Sequence, residues 1–234
     1  KAQHLQAQAS VSCAASRMGS SCSGVTTTAR DPDYNDLARK ILDPASGDKF
    51  QCLDPIWRHP TSGAILFVGN ETAANTRGIL ADCKISCIVV CLERPCRVFE
   101  ADKSLKYFHF PISYWRRCPN PHSAEGIAEM FAPVLGWVGQ CLDEGESVLV
   151  HCLAGAHRAG TTGIALLMYL ADLDFPEATD AAKAARPIVN PIFDFKDLLE
   201  RFQWARKQSL IKPAVEAASV LGFDVALARV LTVQ

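Results

Sequence analysis

The sequence predicts an α/β fold, with strands and helices alternating to build a sheet flanked by helices. The local signal is clearest at Ser147–His151, a short all-buried type of strand, Ser-Val-Leu-Val-His, that runs into a small-residue loop and then a helical pattern from Arg158. Apolar runs of strand length elsewhere alternate with amphipathic stretches of helical period, the pattern of an α/β sandwich. At 234 residues with 49% hydrophobic and 21% charged residues, the chain suffices for one soluble core with some extra at either end. A formal net charge of −1 argues against bulk attraction to nucleic acid or to an anionic membrane. The longest apolar runs, such as Ile-Ala-Leu-Leu-Met-Tyr-Leu-Ala from Ile164, are too short to span a bilayer.

Element by element, Asp36–Leu42 reads as a short helix. Phe50–Trp57 and Gly63–Gly69 read as two strands around a Pro/Ser/Gly turn. Asn70 is placed to cap a helix reaching about Cys83. Ile85–Leu92 and Tyr107–Ile112 are strand-like, and Ser113–Ser123 reads as a loop punctuated by prolines. Ser123 opens a helix with Ile127, Met130, Phe131, Val134, Leu135 and Val138 on one side. Pro176 suits the first turn of a helix running towards Arg186, and residues 194–208 form an amphipathic helix.

The expected organisation is a disordered or targeting segment over 1–32, a catalytic domain over 33–208 and a helical extension of one more helix over 209–234. The first thirty residues hold no Asp or Glu and are rich in Ala, Ser, Thr and Gln, a composition suited to disorder or to an organelle transit peptide. Initiation at Met18 would instead expose Gly19-Ser-Ser-Cys-Ser, a myristoylation pattern beside a palmitoylatable Cys22 and hence a route to lipid anchoring. The ten cysteines are scattered, without paired CxxC spacing, so they read as buried spectators of a reducing compartment, intracellular and foremost cytoplasmic, rather than a disulfide scaffold or zinc site. Cys91 and Cys96 are the first candidates for a regulatory disulfide with the reactive thiol described next.

Residues 148–163, Val-Leu-Val-His-Cys-Leu-Ala-Gly-Ala-His-Arg-Ala-Gly-Thr-Thr-Gly, carry the chemistry. In a tight loop between strand and helix, successive backbone N–H groups turn inward and the helix adds the positive end of its dipole, which together bind phosphate. Gly155 permits the turn, and Leu153, Ala154, Ala156 and His157 complete the loop, with His157 read as a solvated rim residue. The same field favours the thiolate of Cys152 as nucleophile. Arg158 offers two parallel N–H bonds to phosphate oxygens, and His151 supports the loop from the strand. The four fixed residues of H-C-x-x-G-x-x-R would arise by chance in roughly one of several hundred chains of this size.

With these residues in view, the loop resembles that of the cysteine-dependent protein phosphatases, specifically the dual-specificity group, and the likeness extends over roughly residues 50–205. Gly63–Gly69 with Ala73-Ala-Asn75, Tyr107–Ile112, Thr161 with Ile164–Met168, and Ala185-Arg186-Pro187-Ile188 are similar to successive family segments. The resemblance implies a mixed central sheet, the phosphate loop at its C-terminal edge, a phosphocysteine intermediate, and neither metal nor cofactor.

The chain departs from the family at several points. The family's general acid, an Asp after the Pro-Ile strand, is replaced by Ser113 and Tyr114, and no Asp or Glu occurs from Lys103 to Ala124. His122 is the candidate substitute acid, since an imidazole can donate a proton near neutral pH. Ala159 stands where a hydroxyl usually follows the Arg, and Ile192 where an Asn often braces the loop.

The leading functional expectation is therefore hydrolysis of phosphotyrosine, extending to phosphoserine and phosphothreonine, in a phosphorylated protein partner, with Arg116 and Arg117 placed to attract acidic phosphopeptides. The alternative is a catalytically weak phosphatase-like module that binds phosphoproteins. A rhodanese-like sulfurtransferase ranks below both, because Arg158 and His151 argue against it. Nothing in the sequence fixes the oligomeric state.

Overall fold

The computed structural model describes residues 33–43 and 50–232. The segment 1–32, with its transit and lipidation patterns and with Cys13 and Cys22, lies outside the described residues. In chain order the elements are α1 (Tyr34–Leu42), β1 (Leu53–Arg58), β2 (Ile65–Gly69), α2 (Glu71–Ala74), α3 (Arg77–Asp82), β3 (Ile85–Val90), β4 (Lys106–His109), a 3₁₀ turn (Ile112–Arg117), α4 (Ala124–Asp143), β5 (Ser147–His151), α5 (Arg158–Leu170), α6 (Phe175–Ala185), α7 (Asp194–Lys207), α8 (Ile211–Leu221) and α9 (Phe223–Thr232).

Five strands form one mixed sheet in the order β1-β2-β5-β3-β4. Only the β1–β2 pair is antiparallel; β2–β5, β5–β3 and β3–β4 are parallel. β5 sits at the centre, and all five of its residues are buried, as a strand covered on both faces must be. The alternation of side chains divides the core. Leu66, Val68, Val89, Val148 and Val150 face the cluster formed with α4, α5 and α7. Phe67, Ile88, Val90 and Leu149 face the smaller layer of α2 and α3.

Several boundaries differ from the sequence expectation. The helix expected from Asn70 to Cys83 is two, because the first ends at Asn75 and Thr76 restarts the chain in extended geometry. The strand expected over Tyr107–Ile112 stops at His109, and Ile112 opens the 3₁₀ turn where a loop was expected. The C-terminal extension holds two helices rather than one, divided at Gly222, whose φ of 82° favours a residue without a side chain.

Those two helices pack on α4. A Cβ added at Gly136 would lie 2.4 Å from Phe223 Cε1 and 3.1 Å from Val215 Cγ1, so the missing side chain is what lets α8 and α9 approach. Gly136→Ala is expected to cost about 1–3 kcal/mol by overpacking. Hydrogen exchange should show protection lost first across residues 211–232, with the sheet unaffected.

Candidate active site

β5 delivers Cys152 to the C-terminal edge of the sheet, and α5 begins only six residues later at Arg158. Between them the loop is held by its carbonyls. Leu153 O accepts from Glu71 N at 3.2 Å and Ala156 O from Asn190 N at 3.1 Å. Arg186 donates from Nε to Gly155 O at 2.9 Å and from Nη2 to Ala154 O at 3.1 Å. Its Nη1 reaches Gln51 O at 2.9 Å and Asp54 Oδ2 at 2.6 Å. With carbonyls turned outward, the opposed N–H groups turn towards the centre of the loop, and Gly155 N donates to Cys152 Sγ at 3.3 Å.

Gly155 has φ 70°, and a Cβ there would lie 2.4 Å from Gly69 O, so no other residue fits. Ala154 and Ala156 are buried against Ala38 of α1. His157 is not the solvated rim residue expected from sequence. It is 6% exposed, and its Nδ1 is 2.8 Å from Asn190 O. Asn190 thus braces the loop through its backbone, from a position two residues before Ile192.

Arg158 is 1% exposed, and each of its nitrogens has a different fate. Nη1 donates to both Glu93 oxygens, at 2.7 and 2.5 Å. Nη2 donates to Asn35 Oδ1 at 2.6 Å. Nε is buried without a partner. An orphaned buried donor is costly, and beside a ring of inward amides it fits an oxyanion.

Sequence reasoning missed both partners. Glu93 lies on the loop after β3, and its Oε1 also accepts from Ser113 Oγ at 2.7 Å. Asn35 belongs to α1, which Tyr34 anchors by stacking on Phe195 at 4.7 Å between ring centroids and by donating its hydroxyl to Asp194 Oδ1 at 2.6 Å. Asp194 Oδ2 accepts from Trp115 Nε1 and Arg116 Nε. Arg116 is thus paired with Asp194 while its side chain remains exposed.

His122 is exposed on the approach to α4, and its backbone carbonyl accepts from Arg201. Among the described residues, no recorded hydrogen bond joins its imidazole to Cys152 or Arg158. Ala159 is buried, and the nearby hydroxyls of Thr161 and Thr162 bond the carbonyls of His157 and Arg158. Cys91 is buried with its thiol donating to Thr162 Oγ1 at 3.4 Å, whereas Cys96 is half-buried on the loop beyond β3.

Among the described residues, Cys87, Cys141 and Glu146 form the one cluster with metal-ligand spacing, from β3, α4 and the turn before β5. It offers a poor cation site. Lys106 Nζ already sits 2.7 Å from Glu146 Oε2, and hydrogen bonding to Cys141 with burial holds the Cys87 thiol protonated.

Two predictions follow from this framework. Removing the Arg186 guanidinium (Arg186→Met) leaves Asp54 and two loop carbonyls unpaired, an expected loss of about 3–5 kcal/mol in urea unfolding. His151 is fully buried, with neither ring nitrogen in a hydrogen bond of good geometry. Burial pushes its pKa down from 6.5 to about 4, opposed by the Cys152 backbone and helped by the nearby Arg158 charge. The neutral imidazole therefore contributes its full stabilisation above pH 6.5 and loses it as the pH falls towards 4. The loss reaches about 3 kcal/mol. Unfolding measured across that range should show a flatter profile in His151→Gln.

The geometry is matched by the comparisons. The family profile described as "Dual specificity phosphatase, catalytic domain" covers residues 66–205. Dual specificity protein phosphatase 15 of Rattus norvegicus is 31% identical over 158 residues, 68% of this chain and 63% of that protein. Dual specificity protein phosphatase 22 of Mus musculus is 30% identical over 110 residues, 42% of this chain and 60% of that protein. The chain thus spans under two thirds of the length of these relatives. The crystal structure of DUSP15 superposes with a TM-score of 0.52 at 28% identity, covering 64% of this chain and 90% of that one. With the profile covering more than half of the chain, including β5, the loop from Cys152 and α5, the chain belongs to the dual-specificity phosphatase catalytic-domain family.

Proposed function

We propose that this chain is a protein phosphatase that hydrolyses phosphotyrosine, and also phosphoserine and phosphothreonine, through a phosphocysteine intermediate. The observation that carries the reading is the unpartnered, buried Nε of Arg158 beside the amide-lined loop that presents Cys152. Oxyanion donors fixed before substrate arrives are the largest single source of stabilisation in reactions of this kind. Family membership and the named relatives support the same activity. The chemistry needs no metal, because Cys152 supplies the nucleophile and Arg158 the positive charge. A groove beside the loop, lined by Leu37, Ile41, Pro191 and Phe193 with Lys40 and Lys196 at its edge, offers surface for the residues flanking a phosphotyrosine.

A second reading, a slow phosphatase-like module that binds phosphoproteins, is favoured by one specific observation. Glu93 and Asn35 already occupy Arg158, and the family's acid is absent from the loop after β4. An intracellular location is part of the proposal. Among the described residues no helix is long and apolar enough to cross a membrane, while the lipidation pattern lies outside them.

Single-turnover kinetics with an activated aryl phosphate separate the two readings. Rapid release of the phenol, with one phosphoryl group trapped on Cys152 in acid-quenched protein and both lost in Cys152→Ser, is the expected result. Phosphopeptide binding without phenol release would establish the binding module instead.

A further inference from the structure

We propose that Glu93, from the loop after β3, is the general acid of this chain, taking the place of the aspartate missing from the loop after β4. The inference rests on the phosphatase reading above and identifies the residue that completes it.

Three observations carry it. Both carboxylate oxygens of Glu93 lie within hydrogen-bonding distance of Arg158 Nη1, at 2.7 and 2.5 Å. Arg158 is the group proposed to grip the phosphoryl oxygens, so the carboxyl is tied directly to the cation of the site. Ser113, at the position where the family resemblance places the acid, donates its hydroxyl to Glu93 Oε1 at 2.7 Å. A carboxylate from the loop after β3 is thereby held against Ser113. Finally, the other carboxylate tied to this turn is not free to act. Asp194 accepts from Tyr34, Trp115 and Arg116 together, which holds its carboxylate against α1 and the 3₁₀ turn.

The side chain of Glu93 is 23% exposed, so protons reach it from solvent. In the unliganded protein Arg158 neutralises it. A bound phosphate ester would compete for the same guanidinium and so release the Glu93 carboxyl from its ion pair. In the proposal the proton comes from solvent through the exposed side of the carboxyl. In the first step the Cys152 thiolate attacks phosphorus, the bond from phosphorus to the leaving oxygen breaks, and that oxygen takes the Glu93 proton. In the second step water attacks the phosphocysteine, its proton returns to the Glu93 carboxylate, and the sulfur leaves as thiolate with phosphate released. Atoms and charge balance over the cycle with no other reactant.

The test compares the full chain with Glu93→Gln and His122→Ala on a series of aryl phosphates of increasing leaving-group basicity. Gln keeps an oxygen for Arg158 and Ser113 but carries no acidic proton. The proposal expects Glu93→Gln to lose less than about 10-fold in kcat on the most activated ester. On phenyl phosphate the loss should reach about 10²-fold or more, with the basic limb of the kcat/KM pH profile removed. Equal loss on every ester with the basic limb intact would overturn it, reducing Glu93 to a positioning residue for Arg158. So would no loss at all, or a leaving-group-dependent loss in His122→Ala alone. If the unaltered chain failed to turn over even the most activated ester, the phosphatase reading itself would fall, an outcome distinct from the loss of the acid alone.

Discussion

The site depends on one buried cation outside the loop itself. Arg186, 1% exposed, takes the carbonyls of Ala154 and Gly155 with one face and Gln51 O and Asp54 with the other. A peptide unit cannot point its carbonyl and its N–H the same way, so fastening the carbonyls outward directs the amides inward. The close approach of Gly155 to Gly69 O then fixes the depth of the loop against β2. The framework suits an anion, and the positive end of α5 adds to that.

On that framework Arg158 works as a shared resource. Its Nη1 belongs to Glu93, its Nη2 to Asn35 and its Nε to no described group. The partners come from elements far apart in sequence, the loop after β3 and the helix that precedes the sheet. α1 is consequently part of the site rather than a leader to it. Tyr34 locks that helix to Phe195 and Asp194, and Asp194 in turn holds the turn containing Trp115 and Arg116.

What the sequence made legible was local. The Ser147–His151 strand, the glycine-containing loop and the helix from Arg158 are contiguous, and each follows from short-range geometry. Cys152, Leu153, Ala154, Gly155, Ala156, His157 and Arg158 all take the positions that contiguity requires. What was hidden depended on long-range contacts. Glu93 sits 65 residues from Arg158 and Asn35 123 residues away, and neither stands in a recognisable pattern. His157 was misread as solvated because its partner, the Asn190 carbonyl, is supplied by a distant loop. Arg186 was visible only as half of an Arg-Pro pair, without its role. The two-helix extension was obscured because Gly222 divides a run that is apolar on both sides.

The account holds that the inward amides and Arg158 form one preorganised oxyanion site around Cys152. Equilibrium titration with orthovanadate tests this most directly. One equivalent should bind, and Arg158→Lys should weaken it by about 10- to 100-fold, the worth of a charge-assisted bond that a lysine cannot reproduce. Vanadate bound equally well by the unaltered chain and by Arg158→Lys would contradict it.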